Sequence, residues 1–279
     1  MAEAKAGHHG IGAAMLLLAA LLAGCTAPDA HVPPFARVPY QAFSRQAVIA
    51  IALREWRVFG EPVDDGAITA PQPAQKPERA QGLWQRVGEY WWLGLNAGDP
   101  DNALTGKHDA AGHVFPASRD GDYAWSAAFI SYVMRIAGAG AGFPYAADHA
   151  HYIDLAARMA AGTAHGWDIV AMNPATYAPR PGDLVCNGRD QAAGLRFADL
   201  PAGHFPAHCG IVVAAADDPA PPAPPQPGTV EVIGGNVGDA VSLTHAPVDR
   251  LGMLDSPAGR SLDPRTRWLA VLRVLYPNE

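Results

Sequence analysis

The chain is poor in positive charge: 20 lysines and arginines stand against 27 aspartates and glutamates, a formal net charge of −7. A nucleic-acid partner needs a basic face, so that class is excluded. Long apolar runs are scarce as well. After Met15 to Leu22, no stretch approaches the length that spans a bilayer. Cysteine is limited to Cys25, Cys186 and Cys209. There is no internal repeat, and nothing implies a cofactor. His149 and His151, with His165, His204 and Asp154, raise the question of a metal. Histidines two apart on a helix diverge by about 200°, however, and no metal site is expected.

Apolar content is ample by contrast: 49% of residues are hydrophobic and seven are tryptophan, enough for a substantial core. Lys5, the short apolar run and the small residues of Leu22-Ala23-Gly24-Cys25-Thr26 describe a secretory signal. A cysteine directly after Leu-Ala-Gly resembles the lipobox of bacterial lipoproteins. That resemblance implies lipidation at Cys25, a signal peptide over 1–24 and a membrane attachment through the lipid. With Thr26 next, it implies the periplasmic face of the outer membrane. In such an oxidising compartment Cys186 and Cys209 can pair or remain small buried residues; spacing leaves both open.

Residues 25–40, rich in Pro and Ala, read as a tether. Helical periodicity follows over 41–59, a proline-bearing loop over 61–79, then helices over 82–95, 124–137 and 148–161. The tryptophans Trp84, Trp91 and Trp92 sit at helical spacing that suits a core better than sugar stacking. Beyond them the pattern shortens into β-rich segments at 183–186, 208–214, 229–233, 240–244 and 268–275. The proline-rich tract 218–228 reads as a long hairpin connection. Helices first and strands later predict an α+β domain with an antiparallel sheet over 81–279, preceded by a helix and loop over 41–80.

Trp125-Ser126-Ala127-Ala128-Phe129 opens the third helix. Ser126, Phe129, Ile130 and Val133 share one face, and the two alanines permit a close approach by another element. A serine there reads either as an N-cap or as a nucleophile beside unpaired backbone N–H groups. His208 heads an apolar strand, and Asn236 ends the next one in Val232-Ile233-Gly234-Gly235-Asn236. A nucleophile, a histidine to take its proton and an amide to hold the ring form a triad-like order. Asp122 is expected to cap or order the helix entry, and Tyr123 and Trp125 to wall the pocket. Strand alternation turns Cys209 away from the face of His208, so neither later cysteine is the expected nucleophile.

Four motifs in this order, Trp125–Phe129, Pro181-Gly182-Asp183-Leu184, His208–Val212 and Gly235-Asn236, resemble the papain-like cell-wall hydrolases of the NlpC and CHAP type. More closely, the chain resembles a bacterial lipoprotein family carrying a domain of unknown function, DUF2272. The likeness spans roughly Trp84 to Leu275. It implies a papain-like fold, peptidoglycan as ligand and amide hydrolysis, with Ser126 as nucleophile, His208 as base, Asn236 as orienter and Asp183 in support. Ser126 stands where those enzymes carry cysteine. A serine has no thiolate reservoir and must lose its proton during attack. A papain-like protein that kept the groove and lost the chemistry, serving as a binder or scaffold, is the competing expectation.

Overall fold

The computed structural model describes residues 42–66, 76–95, 99–215 and 228–277. The signal peptide, Cys25 and the tether lie outside the described residues, as do 67–75 of the proline-bearing loop and nearly all of tract 218–228.

Among the described residues four α-helices precede the sheet: α1 (Arg45–Val58), α2 (Leu83–Gly94), α3 (Ser126–Ile136) and α4 (His149–Ala160). Ser44 caps α1 by accepting from the Ala47 N–H, and Asp148 caps α4 by accepting from the His151 N–H. Six strands follow: β1 (Ile169–Met172), β2 (Leu184–Gly188), β3 (Ala207–Ala214), β4 (Thr229–Val237), β5 (Ala240–Pro247) and β6 (Trp268–Val274). They form one antiparallel sheet in the order β1-β6-β2-β3-β4-β5. The α+β expectation and its antiparallel sheet are therefore correct. Only β1 is unforeseen.

Period-two alternation divides the sheet residues between two faces. Cys186, Cys209, Ile211, Val213 and Ile233 join Phe129, Ile130, Tyr152 and Ile153 in the main core beneath the helices. Val185, Val212, Val230, Val232 and Trp268 form a smaller cluster on the other face. Val48, Ala52 and Leu53 of α1 lie in the main core, so the segment before residue 81 packs into the same unit as the rest. Glu55 of α1 is fully buried, where it accepts from Arg86 Nε (2.6 Å) and Tyr90 Oη (2.8 Å) of α2.

The small residues of α3 serve as expected. Gly94 of α2 crosses α3 so closely that a Cβ there would lie 2.6 Å from the Ala128 carbonyl oxygen. On the sheet side, a Cβ on Gly235 of β4 would lie 2.6 Å from Phe129 Cβ and 2.9 Å from Trp125 Cζ3. The N-terminus of α3 is thus clamped between α2 and β4.

Candidate active site at the start of helix α3

Ser126 is the first residue of α3, with Trp125 at the cap position making no side-chain cap. The N-cap reading of Ser126 is overturned. Its hydroxyl binds no backbone amide and instead lies 2.7 Å from His149 Nε2, with both residues buried. Trp125 holds the entry, its indole N–H donating to Glu78 Oε2 at 2.7 Å in the core. Phe59 and Tyr90 pack on its ring at 5.9 and 5.6 Å.

His149 opens α4, and Tyr152 follows one turn later on the same face. The Tyr152 hydroxyl hydrogen-bonds His149 Nδ1. A chain of three polar groups, Ser126, His149 and Tyr152, therefore runs through the core. Burial pushes the His149 imidazolium far below its ordinary range, with His208 and Arg189 adding to the shift. The same burial drives the Tyr152 phenol well up. Both are neutral near pH 7. If Nδ1 carries the proton and donates to Tyr152, Nε2 is free to accept from Ser126.

The expected triad is assembled differently. His208, at the head of β3, does not hydrogen-bond Ser126; its ring meets the His149 ring edge-on at 5.4 Å. Burial and the charge of Arg189 lower it to about 4, so it too is neutral. Asn236 sits with φ 58° in the bulge between Gly234 and Val237, half-buried. Among the described residues neither His208 nor Asn236 has a side-chain hydrogen bond, and Asn236 does not orient the imidazole. The groups around Ser126 are thus two imidazoles and a phenol, without the amide.

The supporting residues are placed as follows. Asp122 is exposed, pairing with Arg119 at 2.8 Å and not capping α3. Tyr123 stacks on Phe115 at 4.1 Å. Asp183 is fully buried and fastens the turn into β2: it accepts from the Arg180 and Val274 N–H groups and from Tyr177 Oη. Cys186 and Cys209, directly paired across β2 and β3, form a disulfide. His151 is exposed while His149 is buried, the divergence expected of that spacing. Among the described residues no cluster suits a metal.

The family described as "Uncharacterized protein conserved in bacteria (DUF2272)" matches residues 78–274. The chain belongs to the DUF2272 family. No curated protein and no solved structure matches it. The DUF2272 segment begins at Glu78, the residue that anchors Trp125, and contains Ser126, His149, Tyr152 and His208.

Two features of this DUF2272 domain escaped sequence reasoning. His149 was weighed only as a metal ligand, because its partner lies 23 positions away on another helix. The spacing His149-x-x-Tyr152 after the cap Asp148 was the available signal. Glu78 was hidden in a proline-bearing loop. It is raised to about 7, chiefly by burial and further by the nearby Asp239 and Asp120 carboxylates, against the hydrogen bond from Trp125 and the charge of Lys76.

Proposed function

We propose that this protein is a cell-envelope hydrolase that cleaves an amide bond of peptidoglycan through Ser126. The observation that carries the reading is the 2.7 Å contact between Ser126 Oγ and His149 Nε2 at a helix N-terminus. His149 replaces His208 as the base. Ser126 Oγ attacks the carbonyl carbon while its proton passes to Nε2. The imidazolium then protonates the leaving amine as the C–N bond breaks, leaving an acyl-enzyme that water hydrolyses by the reverse proton path. The first-turn N–H groups of α3, which have no helical partners, are the candidate oxyanion donors. Tyr152 fixes the ring but cannot stabilise imidazolium as a carboxylate does, so turnover is expected to be slow.

The peptidoglycan ligand and a papain-like arrangement of NlpC or CHAP type rest on the resemblance of the four motifs. Helices packed on one antiparallel sheet are compatible with that arrangement. The envelope location and lipid anchor at Cys25 rest on the N-terminal sequence. The disulfide fits that compartment, because disulfides persist in oxidising spaces.

One observation favours the second reading, a binder or scaffold without catalysis. Ser126 is 8% exposed and lines neither the cavity around Val185 and Trp268 nor the one around Tyr177 and Arg180. The deciding experiment incubates the full-length protein in detergent with purified peptidoglycan and reads soluble fragments by mass spectrometry. Wild type should release fragments carrying new amine and carboxyl ends, while Ser126→Ala and His149→Gln should not. Release by Ser126→Cys alone, or by no form of the protein, would sink the serine hydrolase in favour of the binder.

A further inference from the structure

The face of the sheet away from the helices carries a cavity of about 1100 Å³ that the proposed chemistry leaves unused. Val185, Val232 and Trp268 contribute apolar lining, and His208 lines it as well. Four arginines line it, Arg189, Arg260, Arg265 and Arg267, together with Asp64, Asp190 and Asp263. Arg265 is spent on Asp263, reaching one oxygen at 2.8 Å and the other at 2.7 Å. With that pair cancelled, three arginines and two aspartates remain in the lining, a positive balance on a chain whose net charge is −7. Among the described residues, the guanidinium groups of Arg189 and Arg260 have no hydrogen-bond or ion-pair partner. The cavity therefore combines apolar lining with uncommitted cationic donors, which ask for an acceptor oxygen.

We infer that this groove binds a carboxylate-bearing peptide, with the carboxylate on Arg189 and Arg260 and the aliphatic side chains against Val185 and Val232. His208 lines the groove and its ring meets that of His149 at 5.4 Å, so this histidine pair links the groove to the Ser126 site. Naming the peptide as the stem peptide of peptidoglycan rests on the reading proposed above. The preference for a carboxylate does not.

The test is calorimetric titration of the full-length protein in detergent with a soluble muramidase digest of peptidoglycan. A parallel titration uses the same digest after its carboxyl groups have been converted to amides. Wild type should bind the native digest and bind the amidated one about tenfold more weakly, the ordinary consequence of losing one charge-assisted hydrogen bond. Arg189→Gln and Arg260→Gln, both at exposed positions, should each weaken binding of the native digest about tenfold and leave the amidated digest unaffected. Equal affinity for both digests, no binding of either, or arginine variants that bind like wild type would overturn the groove assignment. Ser126→Ala separates the two readings, since it should bind like wild type. If it still releases fragments, the hydrolase fails while the groove stands. If only the arginine effects are missing, the groove fails while the hydrolase stands.

Discussion

His149 and His208 are held neutral by the same cause, burial, yet they differ in what they touch. His149 is the one bonded to Ser126, and His208 is the one that lines the groove. Both have folded values below the ordinary 6.5, so on acidification the unfolded chain takes up protons that the folded chain refuses. Stability should therefore fall as pH drops from 6.5, for His208 down to about 4. His208→Gln should flatten part of that loss, read as urea midpoints across the window; an unchanged slope would mean that His208 is not desolvated. Glu78 acts with the opposite sign. Its folded value near 7 lies above the ordinary 4.5, so stability is lost as pH rises from 4.5 and the loss is complete above about 7. Glu78→Gln keeps an acceptor for the Trp125 indole N–H, and it should gain about 1–3 kcal/mol more at pH 8 than at pH 5. Ser126 was legible as a candidate site because small residues and an aromatic framed it at a helix start. Its partner was not. A single histidine on an apolar helical face reads as core, and the head of a β-strand looked the better place for a base.

Elements were easier to read than their contacts. Each α-helix among the described residues was anticipated to within a few residues, because each shows an apolar face at helical spacing between turn residues. Strands β2 to β6 carry apolar runs bounded by Gly or Pro, and they too were anticipated. Strand β1 was missed because it spans only Ile169–Met172 and is fixed by pairing with β6, a partner about a hundred residues later. Sequence periodicity holds no trace of such a pairing. The glycines that let elements meet were equally silent, since closeness belongs to the pair. Their effect is measurable. Gly94→Ala would place a Cβ 2.7 Å from the Tyr132 amide nitrogen, and Gly235→Ala would drive one into Phe129. Neither α3 nor β4 can yield without disturbing the other, so each substitution should cost about 1–3 kcal/mol in urea unfolding. Gly235→Ala should also impair any Ser126-dependent release, because Trp125 and Phe129 position the helix start. A fully stable Gly235→Ala protein would contradict the clamp.

At the scale of the whole molecule, the disulfide is the feature that ties fold to compartment. Cys186 and Cys209 join neighbouring strands in the middle of the sheet, 23 residues apart in sequence. Closing a loop of that length removes unfolded-state entropy worth about 3 kcal/mol. Both sulfurs belong to residues fully buried beneath the helices, so a reductant should reach them only when the chain opens. Cys186→Ala with Cys209→Ala should therefore lower the unfolding free energy by about 2–4 kcal/mol. Wild type refolded under reducing conditions should match the double variant, while folded wild type briefly exposed to the same reductant should not. The comparison bears on where the protein works. A domain whose stability falls this far without its cross-link is suited to an oxidising space, the one to which the sequence around Cys25 would deliver it. Equal stability with and without the disulfide would remove the structural half of that argument and leave envelope location resting on the N-terminal sequence alone.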